Sequence, residues 1–243
     1  VDNHVYSNGG FGMAISSGGN PTVQSNNIFD NKSGGVCAFS EGHGYLEGNE
    51  IYENALFGVA LTRGGNTTLF KNRVYDSPLY GIAVHGDGHG LLERNEVFKC
   101  GEANIHMQAT FMADLTPSVT DDPNIKTDDS ELLFMKANKV HSGRGIGIHV
   151  VGAIHPHLLN NEVYENKGDG IRVSGAGCTP VMDDNKVRDG FGAGFHIEDE
   201  AKGMYSCNHV TGNEGPGVKI TTAGHPTFTG NNIEGGKGSG VCC

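Results

Sequence analysis

His106, His149, Arg172, His196 and Lys219 follow one another at intervals of 43, 23, 24 and 23 residues. Set side by side, these cationic or titratable side chains could hold an anionic glycan or an acidic peptide, with histidine moving a proton. The same series continues backwards through Ala83, Ala60, Cys37 and Ala14 and forwards to Cys242. His106, His149 and His196 alone make a poor zinc set, because Arg172 falls between two of them and a cation disfavours a second cation. No metal and no cofactor is therefore expected. Residues so far apart become neighbours only if the chain returns to the same place once per period, so a repeat has to position them.

That repeat is written in asparagine. Asn3, Asn26, Asn49, Asn72, Asn95, Asn138, Asn161, Asn185, Asn208 and Asn231 each precede an x-Val or x-Ile, with gaps of 23 or 24 residues and one of 43. Nine residues after nearly every anchor stands Gly followed by an apolar residue, as in Gly35-Val36, Gly81-Ile82 and Gly170-Ile171; only Asn104-Ile105 departs. Three residues before the anchors lies a further apolar set that includes Val23, Leu46, Leu69, Leu92, Met135 and Leu158. Three short apolar segments per period, parted by glycine-rich corners and without helical periodicity, describe one coil of a parallel β-helix. A single coil cannot bury its inward face, so coils stack at about 4.8 Å and like residues form ladders. The fold class is all-β: one solenoid of about ten coils over 1–243.

The anchor asparagines occur on every coil and so cannot mark one site; a structural amide ladder is expected of them. After the anchors, Glu50, Arg73, Glu96, Lys139, Glu162 and Lys186 alternate in sign over much of the chain, which helps to hold register. Three residues past the anchors stand Tyr6, Phe29, Tyr52, Tyr75 and Phe98, then His141 and Tyr164. Pointing outward, this aromatic stripe would suit sugar rings or a peptide; pointing inward or along a corner it is packing, the expectation taken here. The 43-residue gap places an insertion within 100–137, carrying Asp114, Asp121, Asp122, Asp128, Asp129 and Glu131 without a calcium-loop spacing, so a solvated acidic loop is expected.

Composition narrows the partners. Thirty-nine glycines, no tryptophan and 19% charged residues favour short strands and tight corners. A formal net charge of -11 argues against nucleic acid and anionic membrane surfaces, and no apolar run reaches the 18 residues of a membrane span. The six cysteines form no CxxC pair, so reduced, structural thiols and an intracellular setting are expected. The uncapped first and last coils suggest a segment of a longer chain, or ends covered by further coils or another chain.

The Asn-x-(Ile/Val)-x-x-Asn anchor, the Gly-Val-x-Val segment and the corners Gly42 to Asn49 and Pro21 to Asn26 resemble the right-handed parallel β-helix repeats of the carbohydrate-binding and sugar-hydrolase class. In the first half the two corner types alternate every 46 residues, which is most similar to the β-helix of F-box proteins that select substrates for ubiquitin ligation. That resemblance implies a non-catalytic interaction scaffold with a protein or acidic-peptide partner. The alternative it implies is a carbohydrate-active enzyme or binding protein acting on an acidic polysaccharide, as lyase, hydrolase or epimerase. The Asn-Thr-Asp motif of polygalacturonases and the Asp-Pro-His motif of alginate epimerases do not occur in the sequence.

Overall fold

A computed structural model describes residues 1–109 and 133–243. The chain winds as a right-handed β-solenoid of three parallel sheets, two of ten strands and one of nine among the described residues. Each of the first nine coils gives one strand to each sheet. After Asn72, for example, Arg73–Tyr75 lies in the first sheet (sheet A), Tyr80–His85 in the second (sheet B) and His89–Glu93 in the third (sheet C).

Strand pairing puts like over like. Val74 sits between Ile51 and Val97, Ile82 between Val59 and Ile105, and Leu92 between Leu69 and Met135. All nine are fully buried. Each such side chain contributes about 1.5–3 kcal/mol by leaving water, which is why the inward set recurs on every coil. Register survives the insertion: Glu93 pairs with Lys136, Glu96 with Lys139, and Gln108 with Val151. The acidic run from Asp114 to Glu131 lies outside the described residues. On sheet A, Arg73 bridges Glu50 at 3.0 Å and Glu96 at 2.7 Å, as the alternation of sign requires.

The corner before each anchor is a single residue in the left-handed region. Ser25, Lys71, Arg94, Ala137, Asn160, Asp184 and Cys207 adopt φ between 53° and 56°, and Gly48 and Gly230 take the same corner at 62° and 64°. The turn aims the anchor side chain along the solenoid axis. Asn26, Asn49, Asn72, Asn95, Asn138, Asn161, Asn185 and Asn208 are at most 2% exposed, and each donates its amide to the next anchor's Oδ1 at 2.8–3.1 Å. Ala137 carries the Cβ that disfavours a left-handed backbone and no polar group to offset it. Ala137→Gly is expected to stabilise the chain by about 0.5–1 kcal/mol, the relieved strain less the added unfolded-state freedom. A urea midpoint that fails to rise would show that the corner carries no strain.

A second ladder runs five residues after the anchors, through Asn8, Asn31 and Asn54, with Asn31 Nδ2 donating to Asn54 Oδ1 at 2.9 Å. On later coils Ser77, Cys100, Gly143 and Gly190 stand at this offset, while Asn166 and Asn213 restore it. The departure at Asn104 is the repair of one gap. Beside Gly143, the Asn104 amide accepts from Cys100 N–H at 3.0 Å and donates to His141 O at 3.0 Å and Asn166 Oδ1 at 2.9 Å.

Candidate functional site

Sheet B carries three outward rows. The expected series pairs coil to coil as Ala14, Cys37, Ala60, Ala83, His106, His149, Arg172, His196, Lys219 and Cys242. Flanking rows lie eight and thirteen residues past the anchors. The first includes Phe57, Tyr80 and Asp169, the second Thr62, His85, Gln108, Glu198 and Thr221.

These flanking rows decide how much of the cationic or titratable series reaches solvent. Cys37, Ala60 and Ala83 are buried in a second apolar cluster with Phe39, Phe57 and Tyr80. His106 and His196 are each 4% exposed, whereas His149, Arg172 and Lys219 are partly accessible. His106 is closed off by Tyr80, which stacks on it at 4.3 Å between ring centroids, and by the edges of His85 and His149 at 5.3 and 5.1 Å. Its Nε2 lies 3.1 Å from Gln108 Oε1. Among the described residues neither ring nitrogen of His85 has a hydrogen-bond partner, nor does Nδ1 of His106. Burial, reinforced by the His106 ring, lowers His85 to about 4, and burial with His106 and Arg172 nearby lowers His149 to about 4. Both imidazoles are neutral at pH 7.

A pH dependence follows. Protonation of His85 and His149 is weaker in the folded chain than at their ordinary 6.5, so the unfolded chain takes up protons first as pH falls. Stability is full above about pH 6.5 and declines towards pH 4, by up to about 3 kcal/mol for each histidine, less for the more solvent-screened His149. Urea midpoints across that window should fall with acid, and less so in His85→Phe; a flat profile would contradict the neutral imidazoles.

Towards the C-terminal coils the face turns polar. Arg172 Nε donates to Glu198 Oε1 at 2.7 Å. His196 Nδ1 lies 2.9 Å from Asp169 Oδ2, and its Nε2 lies 3.1 Å from Thr221 Oγ1 and 3.4 Å from Glu198 Oε2. Asp169 is fixed in turn by Ala193 N–H, which donates to Oδ1 at 2.9 Å. Tyr80, His85, Asp169, Glu198 and Thr221 were missed because their rows change residue type from coil to coil; writing out offsets of eight and thirteen brings them into line. Among the described residues no three His, Cys, Asp or Glu side chains converge as metal ligands.

The aromatic row on sheet A points out of the solenoid, against the expectation that it serves as inward or corner packing. Tyr6, Phe29, Tyr52, Tyr75, Phe98, His141 and Tyr164 stack with centroids 4.6–5.1 Å apart and planes within 14° of parallel. Each ring between the ends of the row spends both faces on its neighbours, Arg188 lies over the Tyr164 ring at 4.4 Å from its centroid, and Tyr6 alone of the seven is stacked on one side only. A sugar needs a free face, so the row is a ladder of its own.

The model of the right-handed β-helix region matches residues 1–126 and 123–233. The chain belongs to the right-handed β-helix family. No curated protein matches this β-helix in sequence. Among solved structures, it is similar to the A-module of the mannuronan C-5 epimerase AlgE4 of Azotobacter vinelandii. There the TM-score is 0.64 at 15% identity, over 90% of this chain and 62% of that one. It is also similar to the periplasmic alginate epimerase AlgG, with a TM-score of 0.63 at 14% identity over 90% and 57%. The catalytic unit of an α-1,3-glucanase from Streptomyces thermodiastaticus gives 0.52 at 15% over 96% and 49%. The β-helix thus spans about half to three-fifths of these chains, and the likeness is one of fold. No helix among its described residues is long and apolar enough to cross a membrane.

Proposed function

We propose that this β-helix binds an acidic polysaccharide along sheet B, with His149, Arg172 and Lys219 as the contacts. The observation that carries the reading is the placement of Arg172. Its Nε is engaged by Glu198 while its Nη groups have no acceptor among the described residues, and it lies in register between His149 and His196. Such a guanidinium suits a uronate carboxylate. His149, held neutral, can accept a hydrogen bond from a sugar hydroxyl, and Lys219 adds a second cation two rungs from Arg172. Two of the similar structures are named for action on mannuronan and alginate, which supports a polyuronate ligand. The protein-interaction scaffold is less favoured, because the aromatic row that would grip a peptide uses its ring faces internally.

With a net charge of -11 the bulk field repels a polyanion, so attraction is local and sensitive to salt. Replacing His149, Arg172 and Lys219 together by alanine is expected to weaken binding of polymannuronate or polygalacturonate by about 10–100-fold, the loss of two charge-assisted contacts. Calorimetry on the folded variant measures it. Undiminished affinity, or no affinity in the parent chain, would overturn the reading.

A further inference from the structure

We propose that Asp169, His196 and Thr221 form a hydrolytic relay that removes acyl esters from the bound polysaccharide. For its substrate this rests on the polyuronate reading above; for its chemistry it rests on geometry alone. An imidazole with one nitrogen 2.9 Å from a carboxylate and the other 3.1 Å from a hydroxyl has the arrangement that activates an alcohol as a nucleophile, and that arrangement recurs on unrelated folds.

The relay is built rather than incidental. The side chains of His196 and Asp169 are 5% and 18% exposed, and Asp169 is held by the Ala193 N–H, so ring and carboxylate are fixed. Thr221 follows the strand Val218–Ile220 and is partly accessible, on the face of sheet B along which the ligand is proposed to lie. Arg172 and Lys219 pair with His196 from either side, supplying positive charge for a developing oxyanion. Arg172 also holds Glu198, whose other oxygen is 3.4 Å from His196 Nε2, farther than the threonine hydroxyl.

The atoms balance without a co-reactant other than water. Thr221 Oγ1 bonds to the ester carbonyl carbon as its proton passes to His196 Nε2. The tetrahedral intermediate breaks its bond to the sugar oxygen, which takes that proton and leaves as a free hydroxyl. Water then attacks the acyl-threonine, its proton moving to His196 and on to Thr221 Oγ1, and the carboxylic acid departs. Thr221 and His196 are the catalytic residues and Asp169 positions the ring.

The test uses the whole chain with 4-nitrophenyl acetate and with chemically O-acetylated polygalacturonate, following acetate release, and calorimetry with unmodified polygalacturonate alongside. Thr221→Val and His196→Ala are expected to lose about 100-fold or more in rate, and Thr221→Ser to retain activity. Thr221→Val should keep its melting temperature and its polysaccharide affinity. Asp169→Asn should lose about 10-fold or more in rate and move the acid limb of the pH–rate profile to lower pH, a shift that a purely structural role would not produce. A folded parent chain that binds polygalacturonate but releases no acetate from either ester overturns the relay and leaves the binding reading standing. Hydrolysis of the aryl ester without polysaccharide affinity does the reverse, and a Thr221→Val variant as fast as the parent removes the nucleophile.

Discussion

Asn72→Ala is expected to destabilise the chain by about 3–5 kcal/mol, among the largest effects of any single truncation. The Asn72 carbonyl oxygen accepts from Asn49 N–H at 3.0 Å and from Asn49 Nδ2 at 2.8 Å, while its amide donates to Leu46 O at 2.8 Å and Asn95 Oδ1 at 3.1 Å. Alanine removes all four bonds and strands groups that no water reaches, since Asn49, Asn72 and Asn95 are at most 1% exposed. Asn72→Asp should cost at least as much at neutral pH, because the carboxylate cannot donate and its charge is buried. Asn3→Ala, at the exposed end of the same ladder, should cost about 1 kcal/mol or less. Urea unfolding of the three variants measures the gradient; equal losses at Asn3 and Asn72 would mean that the ladder does not act through burial.

The second large effect is a coupling. Asn104→Gly takes the acceptor from Cys100 N–H and the donor from His141 O and Asn166 Oδ1. Gly143→Asn alone drives a new Cβ to 2.7 Å from Asn104 Nδ2 and 2.9 Å from Asn166 Oδ1. Each should cost about 2–4 kcal/mol. Together they restore asparagine five residues and glycine nine residues after their anchors, and the double variant should lie within about 1 kcal/mol of the parent, a coupling of several kcal/mol. Additive losses in a double-mutant cycle would show that Asn104 does not fill the place left at Gly143.

The architecture was readable because a period constrains every coil at once. Val74, Ile82 and Leu92 announce three inward ladders, and the structure stacks their equivalents in that register. The second amide ladder was half legible: the Asn-x-(Ile/Val)-x-x-Asn motif contains it, yet Asn104 reaches it from a different offset, which no period reveals. Spacing made neighbours of Phe29 and Tyr52 but is silent on ring planes, and the planes decide whether a ring can face a sugar. On sheet B, sequence found the row through Arg172 and His196 because cationic types recur there. In their rows Asp169 and Glu198 have no counterpart of the same type and Thr221 has only Thr62, so no recurrence marks them, and their meeting depends on how far a side chain reaches across strands. Burial of His106 was equally hidden, since it depends on Tyr80 lying down over the imidazole.

The column of rings from Tyr6 to Tyr164 has an optical consequence. Parallel π-systems held about 5 Å apart couple their electronic transitions, and with no tryptophan in the chain nothing outshines them. Circular dichroism in the tyrosine band therefore reads the alignment of successive coils directly, and a slip of one coil against the next would quench the signal before any strand had melted.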